Sequence, residues 1–179
     1  PCFWINGGIH GDEPEGILTC SLLKKAIDPK ELSGSIVLIP VINVPAMEAA
    51  ERGNPLDTFS YDMNRIYPGR EEGYLSERIA HVHKEWMVKY ADMEISIHSG
   101  GSHSYLAEAM FAATDEKTQE LARAMGEDWK VCLYSNVTSK SPMAVMSELG
   151  KPALTVELGG RSSTAPGAFL NVGKTLLKA

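Results

Sequence analysis

Short apolar segments alternate with segments of helical periodicity along this chain, and that alternation constrains its fold more than any other feature. Apolar runs such as residues 2–6 and 35–42 predict strands. From Pro14 to Ala26 the apolar side chains recur at helical spacing, and Pro14 suits the first turn of a helix. Strands that alternate with helices imply a largely parallel sheet with helices on both faces.

The same pattern predicts the order of the elements. The predicted strands are 2–6, 35–42, 93–97, 106–112, 130–134 and 152–157, and the predicted helices are 14–26, 45–50, 75–89, 115–126, 141–149 and 167–178. Pro40 indicates that the second strand lies at an edge or ends there. Residues 51–73 have no sustained period and predict a long loop, a kind of segment that is commonly functional. We therefore expect a three-layer α/β sandwich with a mixed, mostly parallel sheet.

Composition and charge narrow the class of protein. The 179 residues suffice for one domain with one sizeable hydrophobic core. The formal net charge of −6 argues against a broad basic surface for nucleic acid or an anionic membrane. No run of about 18 apolar residues predicts a spanning helix, and three scattered cysteines favour reduced thiols and a cytoplasmic protein. Because the chain begins at Pro1, inside a predicted strand and without Met, we expect missing upstream sequence.

Three predicted strands lead into residues that bind metals or transfer protons. The first leads into a turn that carries His10 and Glu13, the third ends in His98, and the sixth ends in Glu157. Ligands of an open α/β sheet bind beyond the carboxyl ends of its strands. Glycines flank each group and allow tight turns and close backbone approach. We therefore expect these four side chains to converge on one site.

The residue types fit a catalytic zinc ion. Such zinc commonly takes three protein ligands and leaves a fourth position for water, and His10, Glu13 and His98 would supply two nitrogens and a carboxylate. Zinc lowers the pKa of its water toward about 7. Glu157 could act as general base on that water and later pass the proton to a leaving nitrogen. Other divalent ions also suit a His/Glu/His set, so zinc is an inference from chemistry.

Four segments resemble a known family. They are GGIHGDEPEG (7–16), YDMNRIYPG (61–69), ISIHSGG (95–101) and ALTVELGG (153–160). In kind and order they resemble the succinylglutamate desuccinylase/aspartoacylase family, part of the wider zinc carboxypeptidase superfamily. The resemblance implies a zinc carboxypeptidase-like fold, one catalytic domain over residues 1–179, and one Zn²⁺ per chain. It also implies hydrolysis of the amide bond of a small N-acyl amino acid or related acylated amine. Family members generally carry a further β-rich C-terminal domain, which we expect to be absent here.

The resemblance assigns roles to individual residues. It places His10, Glu13 and His98 on the zinc ligands, Glu157 on the general acid/base, Asn64 and Arg65 on the pair that grips a substrate carboxylate, Arg52 on the arginine that stabilises the developing oxyanion, and Asp62 on the carboxylate that accepts a hydrogen bond from His10. Arginine is the side chain best shaped for bidentate carboxylate binding, and a carboxylate behind a ligating histidine fixes its tautomer.

Simpler interpretations compete with these roles. Asp62 could be a turn or cap residue, Arg52 a solvated surface arginine, and the Asn64–Arg65 pair part of a stabilising turn. His81 and His83 lie two residues apart on a predicted helix and do not share a face, so we expect both at the surface. No GxSxG motif accompanies the serines near His98, which argues against a serine nucleophile.

Two other functions remain open on sequence grounds. A metallocarboxypeptidase that acts on a peptide or muropeptide would use the same metal chemistry, and it would release a C-terminal residue rather than an acyl group. A catalytically silent metal-binding or interaction module would keep the ligands while losing the base or the oxyanion arginine. Because all of these residues are present, we favour the small-molecule deacylase.

Overall fold

The computed structural model of this chain describes residues 1–59, 61–126, 129–137 and 140–160. Its strands are β1 (Cys2–Asn6), β2 (Ser35–Ile39), β3 (Met93–His98), β4 (Tyr105–Ala112), β5 (Val131–Tyr134) and β6 (Ala153–Gly160). Its helices are α1 (Pro14–Ala26), α2 (Val44–Ala49), α3 (Leu75–Tyr90), α4 (Glu116–Ala124) and α5 (Pro142–Glu148), with short 3₁₀ turns at Pro29–Glu31 and Met63–Arg65. None of the helices in these ranges is both long and apolar enough to cross a membrane. The predicted helix at 167–178 lies outside the described residues.

The strands form one mixed, mostly parallel sheet in the order β2-β1-β3-β6-β4-β5. β1 pairs in parallel with β2 and β3, β3 with β6, and β4 with β5, whereas β4 and β6 are antiparallel. The predicted sheet is therefore confirmed. β2 is an edge strand that ends at Ile39, directly before Pro40, as the missing N–H of proline requires.

β6 is longer than the sequence predicted, and this changes the setting of Glu157. The prediction ended the strand at Glu157, but the strand continues to Gly160 because its last residues pair with β4, where Tyr105 lies opposite Gly160. Glu157 therefore lies inside a strand, between two neighbouring strands, rather than on a loop. Its backbone is held by the sheet.

Helices cover both faces of the sheet. Alternate residues of a strand point to opposite faces, so Ile5 packs with Leu23 of α1, and its neighbour Trp4 packs in another cluster with Met87 of α3 and Met146 of α5. A third cluster, with Met63 and its neighbours, lies beneath the long loop and anchors it to the sheet. The long loop is thus packed against the core at the carboxyl ends of the strands.

The prediction that His83 lies at the surface is wrong. His83 is buried on α3, where its Nε2 accepts a hydrogen bond from Trp4 Nε1 at 3.0 Å and its Nδ1 lies 2.7 Å from the hydroxyl of Tyr67. Because burial lowers the pKa of His83 to about 3, the ring is neutral and its Nδ1–H donates to Tyr67. His81, on the adjacent face, is partly exposed. The spacing argument separated the two faces correctly, but it could not tell which face the loop covers.

Candidate metal centre

The side chains of His10, Glu13 and His98 meet at the carboxyl ends of β1 and β3. All three are buried, and one ligand atom from each lies within 4.8 Å of the others. Glu13 Oε1 lies 2.7 Å from His10 Nδ1, and Glu13 Oε2 lies 3.0 Å from His98 Nδ1. The two Nδ1 atoms are 3.3 Å apart. The carboxylate therefore faces both rings, and both rings turn the same kind of nitrogen toward one point.

This donor set fits a tetrahedral cation. Ligand atoms at about 2.0–2.2 Å from a tetrahedral ion lie roughly 3.3–3.6 Å from one another. The two Nδ1 atoms match this at 3.3 Å, and the Glu13 oxygens lie somewhat closer to them, at 2.7 and 3.0 Å. Two imidazole nitrogens that face each other this closely cannot both carry a proton in the space between them. A divalent cation would satisfy both lone pairs and the carboxylate together.

Glycines let the turn after β1 carry His10 and Glu13 into this position. Gly8 has φ +61°, and a Cβ at Gly11 would lie 2.0 Å from the carbonyl carbon of Ala46 in α2. The amide of Gly11 donates to the carbonyl of Glu51 at 2.9 Å, which ties the turn to the start of the long loop. A side chain at Gly11 would push the turn away from α2.

Asp62 joins His10 to Arg52. Asp62 Oδ1 lies 3.0 Å from His10 Nε2, and Asp62 Oδ2 accepts from Arg52 Nε at 3.1 Å and Nη2 at 2.9 Å. The Oδ1 atom also accepts from the backbone amide of Asn64 at 3.0 Å and so caps the 3₁₀ turn. Burial acts to raise the pKa of Asp62, but the bond with His10 and the Arg52 charge outweigh it and hold the pKa well below its usual range. Asp62 is therefore both a cap and the outer partner of His10.

Arg52 lies beside the cluster with its guanidinium fixed in a fork around Asp62. Its Nη1 atom is 3.6 Å from Glu13 Oε1, and its side chain is 39% exposed. The surface interpretation of Arg52 is thus only partly met, because the side chain is partly exposed while the guanidinium nitrogens contact Asp62 and the cluster.

The charge states of Glu13 and His98 suit a cation, whereas burial acts to lower the pKa of His10 but its hydrogen bonds with Asp62 and Glu13 outweigh burial and raise that pKa. Burial acts to raise the pKa of Glu13, but contacts with His98 and His10 outweigh burial and hold that pKa at about 2. Burial lowers the pKa of His98. An ionised carboxylate and a neutral imidazole are the forms in which these groups bind metals.

Glu157 is the neighbour of this cluster on β6. Its Cα is paired with that of His98 across the parallel strands β3 and β6. Burial, and next the charge of Glu13, raise the pKa of Glu157 to about 8, against the opposing charges of His10, Arg52 and Arg65. The Oε2 atom of Glu157 is buried and has no hydrogen-bond partner within the described part of the chain. Such a carboxyl group can hold or release a proton near neutral pH.

A cavity of about 310 Å³ opens next to Glu157. Its lining mixes polar and apolar side chains and consists of Asn64, Arg65, Phe111, Ser135, Asn136, Val137, Ser141, Met143, Thr155 and Glu157. Arg65 is exposed, and its Nη1 donates to the carbonyl of Asn64 at 2.9 Å. A larger, mostly apolar groove of about 770 Å³ lies along α3 and is lined by none of the cluster residues. The smaller cavity is likewise lined by none of His10, Glu13 and His98, but it is lined by Glu157, whose strand position neighbours His98, whereas the larger groove does not reach Glu157.

Three buried polar residues around the cluster were not singled out in the sequence. Asn6, Glu94 and Ser96 lie in the central strands β1 and β3, and each is at most 1% exposed. The available signal was a polar residue inside an apolar strand, which sequence patterns alone do not distinguish from an ordinary interruption. A further tether links the two ligand loops, because Asp12 Oδ2 accepts from both the amide and the hydroxyl of Ser102 at 2.9 Å.

The sheet and the cluster at the ends of its central strands define a zinc carboxypeptidase-like fold with a candidate metal centre. A candidate metallopeptidase from Shewanella denitrificans OS217 has this fold, with a TM-score of 0.74 at 16% identity over 98% of this chain and 72% of that protein. At this identity the likeness concerns the fold alone.

The chain belongs to the succinylglutamate desuccinylase/aspartoacylase catalytic domain family, whose sequence profile matches residues 1–178. It is 27% identical to an N-alpha-acetyl-L-2,4-diaminobutyric acid deacetylase from Halomonas elongata, over 93% of this chain and 50% of that protein. A crystal structure of a succinylglutamate desuccinylase from Silicibacter sp. TM1040 superposes with a TM-score of 0.87 at 26% identity, over 99% of this chain and 55% of that one. The chain thus spans about half the length of these relatives.

Proposed function

We propose that this chain is the catalytic domain of a zinc-dependent hydrolase that cleaves the amide bond of a small N-acyl amino acid or a related acylated amine. The observation that carries the proposal is the convergence of His10, Glu13 and His98, with the buried Glu157 on the adjacent strand. These three residues would hold the ion. A bound zinc ion would polarise the substrate carbonyl and lower the pKa of a water toward about 7.

Glu157 would move the proton. Its carboxylate would accept a proton from the attacking water and then deliver that proton to the leaving nitrogen. The raised pKa of Glu157, about 8, is close to neutrality, so both the accepting and the donating form are accessible. Its position inside β6 fixes the direction from which the proton is taken.

Arg52 would stabilise the negative charge that develops on the carbonyl oxygen. Asp62 accepts from two of its nitrogens, so the guanidinium is fixed before substrate arrives. A fixed cation costs no reorganisation when the charge appears, which is why such groups contribute to rate rather than to ground-state binding. The Nη1 atom of Arg52, which lies 3.6 Å from Glu13 Oε1, would be the guanidinium nitrogen nearest the carbonyl oxygen of the substrate.

Arg65 and Asn64 would bind a carboxylate of the substrate. Both line the cavity beside Glu157, and Arg65 is the cationic residue among the lining residues. The cavity volume of about 310 Å³ suits a small molecule, at the lower end of ordinary ligand pockets. A charge-assisted pair at this position would orient the acyl or amine portion toward Glu157.

The relatives support the reaction class. One is named as a deacetylase of an N-acetylated diamino acid and the other as a desuccinylase of succinylglutamate. Both names describe removal of an acyl group from an amino acid derivative. At 26–27% identity and about half the relatives' length, the activity and substrate of this chain remain our proposal.

The test is metal analysis of the purified chain, followed by a screen of N-acetyl and N-succinyl amino acids with the metal present, removed and restored. We expect about one zinc ion per chain and acyl release that is lost and regained with the metal. A His98→Ala variant serves as the control that lacks one ligand. A metal-loaded chain that releases no acyl group from any compound would contradict the proposal. Release of C-terminal residues from peptides instead would favour the metallocarboxypeptidase.

A further inference from the structure

A chain of hydrogen bonds runs from the back of His98 into the interior of the sheet. His98 Nε2 lies 3.2 Å from the hydroxyl of Ser96, and that hydroxyl donates to Asn6 Oδ1 at 2.9 Å. Asn6 Nδ2 in turn donates to Glu94 Oε1 at 2.6 Å. The chain therefore connects a candidate metal ligand to a carboxyl group that is 0% exposed.

This series of hydrogen bonds spans two neighbouring parallel strands. Asn6 of β1 and Ser96 of β3 are paired Cα to Cα, so their side chains stand side by side on the same face of the sheet. His98 and Glu94 flank Ser96 at spacings of two residues along β3, so they project from that face as well. Because the sheet fixes all four positions, the hydrogen bonds follow from the strand register rather than from a flexible loop.

The hydrogen bonds of this series all run in one direction, from His98 toward Glu94. The Asn6 amide gives its N–H to Glu94, so its oxygen faces Ser96. The single hydroxyl proton of Ser96 is used on that oxygen, and only a lone pair is left for His98. His98 Nε2 must therefore carry the proton and donate it. Its Nδ1 is then the unprotonated atom, and Nδ1 is the atom that faces Glu13 at 3.0 Å.

The two histidines of the cluster have different outer partners. His10 Nε2 faces the carboxylate of Asp62 at 3.0 Å, whereas His98 Nε2 faces a neutral hydroxyl at 3.2 Å. A hydroxyl can donate or accept, so by itself it would allow either tautomer of His98. Glu94 Oε1 accepts from the Asn6 amide, so the Asn6 oxygen is turned toward Ser96 and takes the Ser96 hydroxyl proton. The hydroxyl can then only accept from His98, which leaves one tautomer.

We propose that Ser96, Asn6 and Glu94 are positioning residues that fix the ring orientation and the tautomer of His98, so that its Nδ1 is presented to the metal. This inference rests on the proposed metal site. Outer partners of a ligating histidine typically change metal affinity by about 10- to 100-fold when they are removed. A set of buried polar groups that merely satisfied one another would leave metal affinity unchanged.

The first experiment measures zinc affinity by competition with a chromophoric chelator, for the full chain and for Ser96→Ala. The matched control is Ser76→Ala, which removes a buried hydroxyl on α3 that has no hydrogen-bond partner within the described ranges. We expect Ser96→Ala to weaken zinc binding by roughly 10- to 100-fold and Ser76→Ala to leave it unchanged. An affinity of Ser96→Ala within about twofold of the parent chain overturns the inference.

The second experiment uses the parent chain alone, so its result does not depend on whether a variant folds. Two-bond ¹H–¹⁵N correlation spectra of the zinc-loaded parent chain report which ring nitrogen of His98 binds the ion. We expect coordination through Nδ1 and an Nε2–H proton that exchanges slowly because Ser96 accepts it. Coordination through Nε2 would overturn the inference even if Ser96→Ala proved unstable.

The two proposals fail in distinguishable ways. A parent chain that binds no zinc contradicts the proposed function. It then also contradicts the positioning role of Ser96, Asn6 and Glu94. A parent chain that binds zinc and hydrolyses N-acyl amino acids, while Ser96→Ala binds equally well, contradicts only the inference about positioning.

Discussion

His98 and Glu157 stand side by side, with their Cα atoms paired across the central parallel strands β3 and β6. One is a candidate metal ligand, and the other is a buried carboxyl group whose pKa is raised to about 8 by burial and by the charge of Glu13. Because both residues belong to the sheet, their separation is set by strand pairing and does not depend on a loop closing. Such a rigid arrangement suits a group that must take a proton from one fixed position.

The first prediction concerns Glu157→Gln. The amide keeps the shape of the side chain but cannot accept a proton, so zinc content should stay near that of the parent chain while kcat falls by about 10²- to 10⁴-fold. Metal analysis and steady-state kinetics on the same preparation measure both quantities. Glu148→Gln, an exposed change at the end of α5, is the control and should leave both unchanged. Full turnover in Glu157→Gln would remove its assigned role.

The second prediction concerns the substrate carboxylate. Arg65→Ala should raise KM by roughly 10- to 100-fold for substrates that carry a carboxylate, because a hydrogen bond to a charged group is lost. Substrates in which that carboxylate is an amide should be affected far less. Arg78→Ala removes an exposed arginine beside the apolar groove and should change neither value. An equal effect of Arg65→Ala on both substrate types would place the carboxylate elsewhere.

The third prediction couples Arg52 to Asp62. Arg52→Ala should lower kcat by about 10²- to 10³-fold, as removal of an oxyanion donor does. Asp62→Asn replaces the acceptor at Oδ2 with a donor, so the guanidinium loses two hydrogen bonds and its fixed position. Both changes remove the Arg52–Asp62 contact, so with zinc at saturation the double variant should be less slow than the product of the two single effects would give, even though Asp62 also faces His10. Effects that simply multiply in kcat would show that the two residues act independently.

Much of the fold was predictable because each strand and helix carries its own local pattern. The largely apolar residues 2–6 and the alternating apolar residues of 93–97 predicted β1 and β3 closely, and the helical spacing from Pro14 to Ala26 matches α1. The end of β6 was not predictable, because Gly159 and Gly160 belong to the strand only through their pairing with β4. Long-range strand pairing leaves no local signal when the residues involved are glycines.

The site shows the same division between local and long-range information. Strand ends and the family motifs singled out His10 and His98, and the structure brings these residues together. The buried face of α3 could not be read from spacing, because His83 is covered by Tyr67 of the long loop. Likewise, Ser96 is a small polar residue in an apolar strand, and only its pairing with Asn6 of another strand gives it a partner.

The last prediction concerns Glu94 and the pH dependence of stability. Burial raises the pKa of Glu94 to about 8 in the folded chain, from an ordinary value of 4.5. Between these two values the folded chain holds a proton that the unfolded chain has released, so the contribution of Glu94 to the free energy of unfolding falls as pH rises. Above about pH 8 both states are ionised at this residue, and the loss is complete.

Glu94→Gln removes this titration while it keeps an oxygen that can accept from Asn6. The free energy of unfolding of the variant minus that of the parent chain should therefore increase from about pH 5 to about pH 8, by more than about 1 kcal/mol, and then level off. Urea denaturation at a series of pH values measures this difference. Other titrating groups, such as Glu157, are present in both proteins and cancel to first order. A difference for Glu94→Gln that does not vary with pH would mean that Glu94 titrates in the folded chain as it does in the unfolded one.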